Sequence, residues 1–166
     1  MSKSKGAEAV VLDAKTGHVL AMANSDTIDP TGDIEKQLKK DRTFGNTTIS
    51  NPFEPGSVAK IITAAAAIEE GVTQPDTVHT VPGAIDMAGV TVRDAWEHGD
   101  VNYTTTGIFS KSSNVGTLML AQMVGEEKYA EYLDKFGIGQ ATGIELPQES
   151  AGLLPAREQW LSLILI

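Results

Sequence analysis

No cysteine occurs in the 166 residues. That excludes disulfides, thiolate nucleophiles and cysteine-ligated zinc. Positive charge is also scarce: 13 Lys and Arg stand against 22 Asp and Glu, a formal net charge of −9. Nucleic acid and anionic membrane both reward basic patches, so this balance argues against either as a partner. No signal peptide or membrane span opens the chain, and residues 1–6 read as a tag or linker. The 3 histidines, His18, His79 and His98, are scattered. They form no H-E-x-x-H and accompany no calcium loop, so each reads as a surface or loop residue. No metal site and no cofactor is expected. Internal repeats and low-complexity tracts are absent too.

What remains is an ordinary globular mixture, 41% hydrophobic and 21% charged, long enough for one domain with a real core. Ala9-Val10-Val11-Leu12 and His18-Val19-Leu20-Ala21-Met22-Ala23 flank the turn Asp13-Ala14-Lys15-Thr16-Gly17, the pattern of a β-hairpin. A short helix is expected over 34–40. Asn51-Pro52-Phe53-Glu54-Pro55-Gly56 is a rigid lead-in, because proline restricts both itself and the residue before it. An apolar helix follows from Ser57 and stops at Glu69-Glu70-Gly71, where glycine suits the position after a helix end. Residues 72–103 read as loop-rich, with extended pieces at 77–81 and 89–92 and a short helix over 92–97. Helices are expected over 104–110, from 114 to 124, and over 126–136. The last has Tyr129, Tyr132, Leu133 and Phe136 on one face. The closing run Trp160-Leu161-Ser162-Leu163-Ile164-Leu165-Ile166 reads as an interrupted core segment, an aggregation hazard if exposed.

The chemistry concentrates at Ser57-Val58-Ala59-Lys60. Residues three apart on a helix share a face, so the Lys60 amine is expected to reach the Ser57 hydroxyl. A serine hydroxyl needs a neighbouring base before it attacks. Burial among Val, Ala and Ile pushes a lysine toward its neutral, basic form. Ser57 would also serve as a simple helix cap, but a capping box wants Glu or Gln at position 60. A cation in the first turn faces the positive end of the helix dipole. The bare S-x-x-K spacing is weak by itself, since Ser2-Lys3-Ser4-Lys5 also matches it. Ser112-Ser113-Asn114, between two helices, offers a second hydroxyl and an amide that can relay protons or hold an amide substrate. The same residues are equally expected as helix caps.

Taken in order, these stretches carry a resemblance. Phe53-Glu54-Pro55-Gly56-Ser57-Val58-Ala59-Lys60 resembles the nucleophile segment of class B penicillin-binding proteins, the cell-wall D,D-transpeptidases. Lys111-Ser112-Ser113-Asn114-Val115-Gly116-Thr117 resembles their second motif. The opening hairpin and the stretch from Gly137-Ile138-Gly139 through Thr142-Gly143-Ile144-Glu145-Leu146-Pro147 to Gly152 are similar as well.

The resemblance implies an α/β (α+β) fold of the serine β-lactamase and transpeptidase type. It implies Ser57 as the acylated nucleophile, Lys60 as its base, and Ser112 and Asn114 as the second-motif hydroxyl and amide. The Ser57 backbone N–H would be one oxyanion donor. The implied partners are peptidoglycan stem peptides ending in D-Ala-D-Ala, β-lactam antibiotics and, in the parent protein, other cell-wall synthesis proteins, including those of cell division. The implied location is the extracytoplasmic face of the bacterial cell membrane.

The third family motif, Lys-Thr/Ser-Gly on a strand downstream of Ser-x-Asn, is not found there. Lys15-Thr16-Gly17 has the right letters, but it precedes Ser57 and reads as a hairpin turn. Residues 7–166 are therefore expected to be a truncated transpeptidase domain, a hairpin plus the helical part. Its partner would be the missing C-terminal half, with the later strands of the antiparallel sheet. The alternatives are a β-lactam-hydrolysing or β-lactam-sensing serine enzyme of the same superfamily, and a non-catalytic fragment or scaffold.

Overall fold

A computed structural model describes residues 6–25, 27–40, 42–87 and 89–154. The chain divides into two compact units. One comprises residues 1–53 and 141–152, the other 54–140 and 153–166.

In the first unit, β1 (Glu8–Leu12) pairs antiparallel with β2 (Val19–Asn24), as expected. Asp13 Oδ1 shapes the turn by accepting the N–H groups of Lys15 and Thr16 at 2.9 and 2.8 Å. Gly17 closes it with φ of 71°, a backbone angle glycine adopts without strain. Lys15-Thr16-Gly17 is thus a turn held by Asp13. Little of the hairpin's apolar surface is covered: Val11 is 51% and Leu20 65% exposed. Helix α1 (Ile34–Leu38) starts at Asp33, whose carboxylate accepts the Lys36 N–H. Helix α2 (Thr47–Ser50), capped by Asn46, was not foreseen. It is a single polar turn with no apolar period to reveal it.

The second unit is built on three packed helices. A 3₁₀ turn (Gly56–Ala59) leads into α3 (Lys60–Glu69). Lys60, Thr63, Ala66 and Ala67 fall at helical spacing on its buried face. That face packs on α5 (Asn114–Val124) and α6 (Glu126–Lys135). The core includes Ile62, Ala66, Ile108, Val115, Leu118, Tyr129 and Leu133. Phe136, expected on the buried face of α6, caps the helix and is 47% exposed. Gly116 is where α5 meets α4 (Thr105–Ser110). A Cβ there would lie 2.8 Å from Ile108 Cγ2.

Beside the helices, β3 (Val78–Val81) pairs antiparallel with β6 (Val101–Thr104). Between them in sequence, β4 (Ala84–Met87) and β5 (Val90–Arg93) form a hairpin. β3 and most of β5 coincide with the expected extended pieces, whereas β4 and nearly all of β6 lie in the stretch expected to be loop-rich. The helix expected over 92–97 is absent: β5 runs on to Arg93, and residues 94–100 are irregular apart from bends. The alternation Val90-Thr91-Val92 is strand-like, and pairing with Ala84–Met87 decides the matter. The apolar run 160–166 lies outside the described residues.

Candidate active site

Helix α4 ends in a Schellman motif. The Ser113 N–H donates to the Ile108 carbonyl at 2.9 Å and the Ser112 N–H to the Phe109 carbonyl at 3.0 Å. Such a motif places its first residue past the helix in the left-handed region, where glycine is usual. Here that residue is Ser112, with φ of 54°. A serine in this region carries strain of order 1 kcal/mol, and such residues gather at functional sites. The next residue, Ser113, caps α5 by accepting the Gly116 N–H at 2.9 Å. One helix stop and one helix start thus share two adjacent serines, and the Ser112 carbonyl is turned out of both helices.

That carbonyl meets Lys60. From the first turn of α3, Lys60 Nζ donates to the Ser112 carbonyl oxygen at 2.7 Å, to Asn114 Oδ1 at 2.6 Å and to Ser112 Oγ at 3.2 Å. The residue is 7% exposed. Burial holds its pKa below the ordinary lysine value, with the Asp94 carboxylate pulling the other way. Two of the three acceptors are carbonyl-type oxygens that can only accept. Ser112 Oγ can accept or donate. The same three positions therefore suit an ammonium, which donates to all three, and a neutral amine, which donates twice and accepts the Ser112 hydroxyl proton. The cluster can take up or give back a proton without moving a side chain.

Of the four residues singled out in the sequence, the structure joins three: Lys60, Ser112 and Asn114. Ser57 stands apart from this network. It lies exposed in the 3₁₀ turn, and among the described residues its hydroxyl makes no hydrogen bond. The expected direct contact between Ser57 and Lys60 is replaced, through side chains, by the second motif. The backbone still links them, because the Lys60 N–H donates to the Ser57 carbonyl.

Sequence reasoning missed Asp94 and His98. Asp94 has a side chain 0% exposed, and its carboxylate accepts from Ser113 Oγ at 2.7 Å, the Val115 N–H at 3.0 Å and His98 Nε2 at 3.0 Å. Desolvation raises its pKa, but these hydrogen bonds outweigh it and the net shift is downward. His98, read from sequence as a surface or loop histidine, is in a loop but only 7% exposed at its side chain. Its other ring nitrogen contacts the Gly99 carbonyl at 2.6 Å. Both partners are acceptors, a setting that favours the protonated ring. The Gly99 carbonyl, then Asp94, raise its pKa accordingly. No spacing rule links positions 94 and 98 to the second motif, so the sequence held no signal for this contact.

A buried lysine ringed by the Ser-x-Asn oxygens, one helical turn after an exposed serine, is an arrangement of serine acyl-transfer proteins. Residues 7–165 match the penicillin-binding protein transpeptidase domain, and the chain belongs to that family. Within it, the chain is of the class B kind. It is 64% identical to penicillin-binding protein PbpB of Mycolicibacterium smegmatis, over 96% of this chain and 24% of that protein. It is 34% identical to the peptidoglycan D,D-transpeptidase FtsI of Escherichia coli, over 96% of this chain and 26% of that protein. Its fold matches the crystal structure of penicillin-binding protein 3 from Mycobacterium tuberculosis complexed with ampicillin. The TM-score is 0.88 at 60% identity, covering 97% of this chain and 35% of that one. The chain spans about a quarter of the length of these curated relatives.

Proposed function

We propose that this chain supplies the serine, lysine and Ser-x-Asn part of a D,D-transpeptidase site that cross-links peptidoglycan stem peptides and is trapped by β-lactams. The observation carrying this reading is the buried Lys60 amine held by Ser112 and Asn114. Ser57 Oγ attacks the carbonyl carbon of the penultimate D-Ala, and its proton passes to the neutral Lys60 amine, directly or through the Ser112 hydroxyl. The C–N bond breaks, and the departing D-Ala amine takes a proton back from the same cluster. An amine of a second stem peptide then attacks the acyl-serine, forms the new amide and frees Ser57. A β-lactam enters the same first step, its ring C–N bond opening while the fragment stays attached. The Ser57 N–H, in a helix first turn that lacks intrahelical acceptors, is one oxyanion donor. The likeness to a relative crystallised with ampicillin supports the β-lactam part.

The likeness to FtsI supports a role in cell-wall synthesis at the extracytoplasmic face of the membrane. Among the described residues no helix is long and apolar enough to cross a membrane. Intact-mass measurement after penicillin treatment tests the assignment. One adduct is expected, absent in Ser57→Ala and slowed about 10²–10⁴-fold in Lys60→Ala. An adduct that persists in Ser57→Ala overturns it.

A further inference from the structure

We propose that the cavity at the end of β5 is a substrate subsite for the zwitterionic end of a diamino-acid residue in a stem peptide, an end whose last carbon bears both an ammonium and a carboxylate. The proposal rests on the transpeptidase reading above and names a further part of its substrate.

The cavity has a volume of about 520 Å³ and is lined by Gly83, Ala84 and residues 93–98, a size usual for small-ligand sites. Arg93 pairs with Ala84 across the β4–β5 ladder, and cross-strand partners share one face of the ribbon. The small Ala84 leaves the space beside Arg93 open. Residue 83 is glycine, and a Cβ there would stand 2.0 Å from the His98 carbonyl oxygen. The 94–98 loop therefore closes directly on bare backbone. The half-buried Trp96 lies against His98, with ring centroids 5.7 Å apart and planes inclined by 31°. His98 is tied in turn to Asp94. The wall is thus built before any ligand arrives, which lowers the cost of binding one.

Two of its four charge-bearing residues are already engaged, and two are free. Asp94 and His98 bond each other. Arg93 and Glu97 are exposed, and among the described residues their side chains make no hydrogen bond or ion pair. Two free charges of opposite sign beside an aromatic residue select a class of ligand. Glu97 repels a simple anion, Arg93 repels a simple amine, and a neutral group engages neither. A group with both an ammonium and a carboxylate pairs with both residues. Trp96 suits the methylene stem behind that group and favours its cation.

Position ties the cavity to the reaction. The Arg93 carbonyl accepts from Asn114 Nδ2 at 3.0 Å, while Asn114 Oδ1 accepts from Lys60. The residue that opens the cavity is therefore bonded to the amide of the second motif. A stem peptide held at Asn114 reaches the cavity with its neighbouring residues. The amine that completes cross-linking sits on such a residue, and a carboxylate on the same carbon distinguishes it from a plain amine. Donor and acceptor strands both carry this end group before they are joined.

The test compares two synthetic stem peptides on the intact protein. In one, the diamino-acid side chain ends in an amino-carboxylate; in the other, the same chain ends in an amine alone. Release of D-Ala measures each peptide as donor, and transfer of a labelled acyl group onto it measures each as acceptor. Every rate is divided by the same variant's acylation rate with benzylpenicillin, which lacks such an end group. Wild type should prefer the amino-carboxylate peptide. Arg93→Gln should lower that preference about three- to tenfold, as for one partly exposed charge pair, and Arg93→Glu should reverse it. Glu97→Gln should slow both peptides alike, because both carry the ammonium. The assay that shows these losses identifies the strand, donor or acceptor, that fills the cavity. Equal use of the two peptides by wild type, or a wild-type preference kept by Arg93→Gln and Arg93→Glu, overturns the inference and leaves the transpeptidase reading intact. Absence of a penicillin adduct in wild type overturns both.

Discussion

Lys60 Nζ lies 2.7 Å from the carbonyl oxygen of Ser112, a residue held with φ of 54°. The acceptor that fixes the amine is therefore a strained backbone, and the strain has a measurable consequence. Ser112→Gly should relieve up to about 1 kcal/mol of left-handed strain and raise the melting temperature slightly. It should also remove the hydroxyl that the Lys60 cluster uses to pass a proton, so acylation should fall. Thermal melts and acylation rates on the same preparation check both directions. A glycine variant that is less stable, or that acylates normally, contradicts the account.

Burial holds the Lys60 pKa down. Acylation needs the neutral amine, so its rate should rise with pH through a midpoint below the usual lysine range. Stability follows the same sign. The unfolded chain keeps the Lys60 proton to higher pH than the folded one, so folding is weakened as pH falls through the folded-state pKa. Lys60→Met should remove that part of the pH dependence. A rate profile whose midpoint sits at the ordinary lysine value would contradict burial as the tuning force.

Lys15-Thr16-Gly17 has the letters of a family motif but the structure of a turn closed on Asp13. Lys15→Ala and Thr16→Ala should leave penicillin acylation of the intact protein at its wild-type rate. A loss of about 10²-fold, as for removal of an oxyanion donor, would assign this turn to the site.

Val10, Val11, Leu12, Val19 and Leu20 of the hairpin are each at least 42% exposed. Exposed apolar side chains gathered on one small hairpin favour association, and open strand edges add to it. The 166-residue chain alone should self-associate in a concentration-dependent way, and Val11→Lys with Leu20→Lys should reduce this. Light scattering across a dilution series measures it. A monomer at every concentration rules the hairpin out as a sticky surface.

Much of the architecture was legible in the residues. The Asp13–Gly17 turn, the apolar period of α3 and the amphipathic face of α6 are local patterns, and local patterns dictate local structure. So is the run Ser112-Ser113-Asn114 as cap residues, which made the second motif readable as a helix boundary; the Schellman geometry at Ser112 was not readable, because no glycine marks it. Strands β4 and β6 were missed because short strands exist through their partners, and α2 because a single polar turn has no period. The same reason governs the site. Ser57, Lys60, Ser112 and Asn114 could be named from spacing and resemblance. Their bonding could not, because Lys60 turns to oxygens 52 and 54 residues away. Asp94 and His98 carry no local mark at all. The sequence determined which groups could do the chemistry. Only the packing of α3, α5 and the end of β5 decided which of them meet, because side-chain hydrogen bonds between distant residues depend on the assembled core rather than on the spacing of letters along the chain.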